Sequence, residues 1–167
     1  MKTLHLLRHA KSSWSQPGLA DRERGLNKRG RRDAPRMGAA LATQVTAISI
    51  AVSPARRAQL TLDGLCQGWP ALAALPHVTD EGLYTFASED VLSWIQAQDD
   101  SRSELFIIGH NPAFTELINA LAGRWELDNL PTCAYARLDL DAGHWREVGP
   151  GCAELAQTLL PRLLDEG

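Results

Sequence analysis

Met1-Lys-Thr-Leu-His-Leu-Leu-Arg-His-Ala-Lys11 opens the chain, and the rest of the sequence repeats its logic. Thr3 to Leu7 is short and mostly apolar, which predicts a strand, and Arg8 and His9 stand where that strand must stop. In open α/β sheets, ligands bind outside the carboxyl ends of the strands. A cation and an imidazole at such an end are therefore candidate chemistry. Two further segments end in the same way. Val45 to Val52 is apolar and rich in β-branched residues, reads as a buried parallel strand, and runs into Ser53-Pro-Ala-Arg-Arg57. Leu105 to Ile108 is the clearest strand and is followed by Gly109-His-Asn-Pro112.

Helical patterns fill the intervals. Asn27 caps a predicted helix from Lys28 to Thr43, with Ala34, Met37 and Leu41 on its apolar side and a bend expected at Pro35. Ser53 as N-cap and Pro54 at the first helical position start a second helix, which Gly68-Trp-Pro70 breaks. His77 to Thr79 predicts a short strand, Asp80 to Ala87 a loop, and Glu89 to Gln98 a helix. Asn111 caps a helix that turns Phe114, Leu117, Ile118 and Leu121 inward. Thr132 to Leu140 alternates as a strand, and Asp141-Ala-Gly143 turns it into another at His144 to Val148. Cys152 to Leu164 is expected to close the chain as a helix. The predicted class is α/β: a three-layer α/β/α sandwich whose central sheet is mostly parallel, with an antiparallel strand near one edge. Residues 1–167 are expected to form one domain.

Composition narrows the function. A hydrophobic fraction of 44% and a charged fraction of 22% are ordinary for a globular protein. The formal charge of −3 argues against a dedicated nucleic-acid binder. A basic run, Arg22, Arg24, Lys28, Arg29, Arg31, Arg32 and Arg36, is expected mainly as a solvated helix face. It offers Arg24 as a docking point for an acidic phosphoprotein. Cys66, Cys133 and Cys152 are sparse and unpaired in spacing, which predicts reduced thiols and a cytoplasmic protein. No apolar run approaches the roughly 20 residues that span a bilayer.

If the three strand ends lie side by side, two imidazoles meet Arg8 and the Arg56-Arg57 pair. Helix N-termini aimed at the same place favour an anion, and guanidinium forks match phosphate oxygens. The expectation is a phosphate pocket with no metal and no cofactor. A neutral imidazole there can attack phosphorus and form a covalent phosphohistidine. Neighbouring arginines would keep that ring deprotonated.

Arg8-His9-Ala10 with Lys11-Ser12, Ser53-x-x-x-Arg57-Ala58-x-x-Thr61 and Gly109-His110-Asn111-Pro112 resemble the histidine phosphatase (phosphoglycerate mutase-like) superfamily. Leu6-Leu-Arg-His-Ala-Lys-Ser-Ser-Trp14 is most similar to its small SixA-like phosphohistidine phosphatase branch. The resemblance runs from residue 2 to about residue 140, with the motifs in family order. It implies His9 as nucleophile, Arg8 as its phosphate-binding partner, Arg57 rather than Arg56 as the second arginine, and His110 as the second histidine. It also implies a substrate contact from Ser12 and Asn111, and makes Glu81 the best positional match for a general acid. Ala10 replaces the family's usual glycine, and Gly25 stands where relatives often carry proline. The implied activity is phosphohistidine hydrolysis on a phosphorylated protein, with a small phosphorylated substrate as the alternative. A silent phosphoprotein-binding module ranks third, and a monomer is expected. Of the other histidines, His5 is expected in packing, and His77 and His144 at the surface.

Overall fold

The computed structural model describes residues 1–164. Six strands form one sheet in the order β3-β2-β4-β1-β5-β6. They are β1 (Lys2–Arg8), β2 (Ala51–Val52), β3 (Val78–Thr79), β4 (Glu104–Gly109), β5 (Tyr135–Leu140) and β6 (Ala153–Leu159). The first four are mutually parallel, β5 runs antiparallel to β1, and β6 antiparallel to β5. This is the predicted mostly parallel sheet with antiparallel pairing toward one edge.

Side chains alternate across the sheet and make two cores. Leu4, Leu6, Leu105, Ile107, Ala136 and Leu138 face one side, against α4 (Ser88–Gln96) and α5 (Ala113–Ala122). Leu7, Phe106, Ile108, Val52 and Tyr135 face the other, against α1 (Lys28–Ala42), α2 (Arg56–Gly68) and the short α3 (Pro70–Ala73). The period-2 geometry of a strand requires this split, and a sheet apolar on both faces needs helices on both.

Helix α1 begins where Asn27 predicts, with the Asn27 side chain accepting from Gly30 N at 2.9 Å. It runs through Pro35 as a single helix. Gly30 is obligatory for packing: a Cβ there would meet Lys11 O at 2.3 Å, so only glycine lets the first turn of α1 lie on the segment after His9. Ser53 is not an N-cap. Helix α2 starts at Arg56, and Ser53 Oγ instead accepts from Ala55 N ahead of it. Likewise α5 starts at Ala113, although Asn111 Oδ1 still accepts from Thr115 N as a cap does.

Two predicted elements are wrong. The closing helix Cys152 to Leu164 is strand β6, with half-buried and exposed residues alternating along it. The predicted strand His144 to Val148 is a single 3-10 turn over Trp145–Glu147 that buries Trp145 and donates its indole N–H to Arg102 O at 2.8 Å. The predicted strand from Val45 shrinks to Ala51–Val52. His77 is not merely superficial: its Nε2–H donates to Leu72 O, and its Nδ1 accepts from Ile50 N. His5 is a packed core histidine, bonded to Tyr135 Oη and Glu104 and stacked on Phe106.

Candidate active site

Register brings the three strand ends level. Arg8 pairs with Gly109 across β1 and β4, and Val52 sits opposite Ile108 across β2 and β4. The next residues, His9, Ser53 and His110, therefore leave the sheet together. Backbone bonds His9 N to Gly109 O at 3.0 Å and Ser53 N to Ile108 O at 3.1 Å fix that exit. The rings of His9 and His110 stand 5.3 Å apart, centroid to centroid.

The tautomer of His9 follows from one contact. Its Nδ1 lies 2.7 Å from Ala10 O. A carbonyl only accepts, so Nδ1 carries the hydrogen and Nε2 keeps its lone pair. Burial lowers the His9 pKa to about 3; the Ala10 bond opposes this, and a second proton on neighbouring His110 and the charges of Arg57 and Arg8 disfavour its cation further. His9 is thus a buried, neutral imidazole with one nitrogen free.

His110 is oriented from both sides. Arg57 Nη2, a donor, stands 3.4 Å from its Nδ1, which leaves Nε2–H to donate to Ser53 Oγ at 2.7 Å. Burial, then Arg57, lowers its pKa to about 4 despite the opposing charge of Asp21. Thr61 ties the first motif to the second: its hydroxyl accepts from Ala10 N at 2.8 Å and donates to Arg57 O at 2.7 Å. The Ala58 and Thr61 positions of the second motif are thereby explained as packing and a brace.

Arg57 is only 2% exposed, and its two terminal nitrogens hold Asp21 through the backbone carbonyl (2.8 Å) and Oδ2 (3.1 Å). Arg56 is exposed, so the two neighbours have opposite environments. Arg8 donates to Leu130 O at 2.9 Å, and its Nε is buried without a partner among the described residues. Ser12 is buried and accepts from Arg24 Nη1 at 2.8 Å, while Arg24 Nη2 reaches Asp21 Oδ1 at 3.0 Å. Trp14 covers Arg24, 3.7 Å from guanidinium carbon to ring centroid. Asn111 belongs to the wall beside Arg8, donating to Leu130 O and Asn129 Oδ1.

Glu81 stands at the rim. It is exposed and bound at both oxygens by Arg22, at 2.6 and 2.8 Å, which holds its pKa below the usual carboxylate range. Asp21, Tyr84 and Phe86 join the site with no expectation from the sequence, and Ser53, expected as a cap, joins them by holding His110. Asp21 joins Arg24, Arg57 and Tyr84 Oη; burial pushes its pKa up, but these hydrogen bonds outweigh it and bring the value to about 2. The rings of Tyr84 and Phe86 approach His110 at 5.5 and 5.4 Å. The spacing Asp21-x-x-Arg24 was the one available signal for the acid; nothing local marks the two aromatics.

The match to known proteins agrees with this geometry. The model of the histidine phosphatase superfamily (branch 1) matches residues 4–90, just over half of the chain. The chain belongs to the histidine phosphatase superfamily. An uncharacterized protein of Mycobacterium tuberculosis is 34% identical, over 93% of this chain and 100% of its own. A structure from Agrobacterium tumefaciens assigned to the SixA phosphohistidine phosphatases is 29% identical, with a TM-score of 0.78 over 96% of this chain and 98% of that one. The protein histidine phosphatase SixA complexed with tungstate has the same fold, with a TM-score of 0.75, 21% identity and coverage of 96% and 97%. The phosphoglycerate mutase-like α/β fold and SixA-like affiliation expected from the motifs are thus shown. Among the described residues, no helix is long and apolar enough to cross a membrane.

Proposed function

We propose that this histidine phosphatase hydrolyses phosphohistidine on a protein, through a phosphohistidine intermediate of its own on His9. The observation that carries the reading is the free Nε2 of a buried, neutral His9, facing His110 and flanked by Arg8 and Arg57. In the first step Nε2 attacks phosphorus and the bond to the substrate imidazole breaks; that ring, already protonated on its other nitrogen, leaves as neutral imidazole. Water then attacks the phosphorus on His9 and releases inorganic phosphate, restoring the neutral ring. Arg8, Arg57 and the ends of α2 and α5 offset the charge on the transferring group, so the reaction rests on electrostatics and placement without a metal. His110, neutral when the site is empty, gains a counter-charge once a phosphoryl dianion lies beside it. Its pKa then rises and it can share a proton with that group.

Ser12 and Arg24 form the side of the site toward the substrate, with Trp14 above them. Glu81 as proton donor would have to leave Arg22 and gain a proton against a lowered pKa. Protonated imidazole is a fair leaving group, which suits a site with no raised carboxylic acid. A sugar monoester lacks that advantage.

The test compares kcat/KM for a phosphohistidine-bearing protein domain with values for sugar phosphates and p-nitrophenyl phosphate. We expect the protein to be preferred over sugar phosphates by about a hundredfold or more, because an alkoxide leaves far less readily than an imidazole; p-nitrophenyl phosphate, with its own good leaving group, reports the basal chemistry. Faster turnover of a sugar phosphate would transfer the assignment to small phosphomonoesters.

A further inference from the structure

Beside Arg8, outside the phosphoryl site, lies a cavity of about 540 Å³. Arg8 and Asn111 stand on its side toward the two histidines, and Glu116, Trp125 and Asp128 are among its other lining residues. The polar groups of Asn111 are already engaged with Leu130, Asn129 and Thr115. The charged groups on the outer side are not. Glu116 accepts no hydrogen bond among the described residues, and Asp128 uses only Oδ1, which takes the Trp125 indole N–H at 2.6 Å. That bond fixes the indole, which is 74% exposed and free to stack on a ligand.

An exposed indole beside two carboxylates with free oxygens can hold an ammonium or guanidinium, by cation–π attraction and charge-assisted hydrogen bonds. Arg8 lines the cavity on the side toward the two histidines, where Arg57 joins it, so positive charge stands at that end and the two carboxylates at the other. A substrate matching both must carry a phosphoryl group next to a cation. An acidic neighbour in the same place would meet two unpaired carboxylates, so rejection is built into the same surface.

We propose that this cavity receives the lysine or arginine side chain that flanks the phosphorylated residue of a protein substrate, and so sets which phosphohistidine sites are chosen. The proposal rests on the protein-phosphohistidine function given above.

Phosphohistidine peptides identical except for arginine, alanine or glutamate at the flanking positions provide the test. In the unaltered protein we expect arginine to exceed alanine in kcat/KM by about tenfold, with glutamate lower still. In the double variant Glu116→Gln/Asp128→Asn, which keeps an acceptor for the Trp125 indole, the arginine-to-glutamate ratio should fall toward one. Each ratio is internal to one protein, so a general loss of activity cancels. Neutralising Asp141 and Glu154, at the opposite end of the sheet, should leave the ratio in place. Equal rates for the three peptides, or an equal loss of preference from the distant pair, overturns the subsite while leaving phosphohistidine hydrolysis intact. No turnover of any peptide, with p-nitrophenyl phosphate still cleaved, overturns both.

Discussion

His9 is held by its own chain and His110 by two groups that are themselves buried, whereas Arg22 and Glu81 at the rim hold chiefly each other. The floor of the site is built from sheet register. Its ring positions follow from backbone pairing between adjacent strands, and its arginine is braced through Thr61 and Asp21. The rim is built from exposed ion pairs, the kind of contact worth ~1 kcal/mol or less. Chemistry that must tolerate no misplacement occupies the first region. Selection among substrates can occupy the second, where side chains change without disturbing the sheet.

If that division is right, substitutions should grade steeply from floor to rim. His9→Ala should abolish turnover, by about four orders of magnitude or more in kcat, because no other group can take the phosphoryl. Arg57→Ala and His110→Ala should each cost about 10²- to 10³-fold in kcat, the usual scale for removing one stabiliser of transition-state charge. Ser53→Ala and Asp21→Asn act through His110 and Arg57; about tenfold is expected, read mainly in kcat. Glu81→Gln should change kcat/KM on phosphohistidine by about threefold at most, given its exposure and its partner. A hundredfold loss there would make it the proton donor and move the boundary between the two regions.

Acidity separates them as well. The pKa values of His9 and His110 fall from 6.5 to about 3 and about 4. Their ring signals in NMR should therefore stay those of neutral imidazole from pH 7 down to about pH 5. The sign for stability follows from proton uptake. Between 6.5 and those lowered values the unfolded chain binds more protons than the folded one, so stability from these rings is complete above 6.5 and declines as pH falls. Replacing either ring with a non-titrating residue should flatten the acid side of the denaturation curve. Unchanged curves would mean the rings titrate normally and the site is wetter than its geometry implies.

The floor was readable in the sequence because each part announces itself locally: an apolar strand, then a charged or aromatic-nitrogen residue, then a helix start. Arg8, His9, Arg57 and His110 all stand in such places. The rim, and the Asp21 brace beneath it, are not readable, because their partnerships span the chain. Asp21 meets Arg57 across 36 positions and Tyr84 across 63. No local period encodes that. The errors near the carboxyl end have the same origin. Ala153-Glu-Leu-Ala-Gln-Thr-Leu159 is composed mostly of residues that favour helices, yet it pairs with β5 because that strand's open edge accepts it. The pattern around Trp145 predicts a strand, yet its indole packs in the core and reaches Arg102 O, which a one-turn helix permits.

Exposing the protein to a labelled phosphodonor, quenching within milliseconds and locating the label puts the nucleophile itself to the test. We expect an acid-labile, base-stable adduct on His9 that chases to inorganic phosphate and is missing in His9→Ala. Label on serine or cysteine would contradict the mechanism, the latter against the raised pKa of both Cys66 and Cys133.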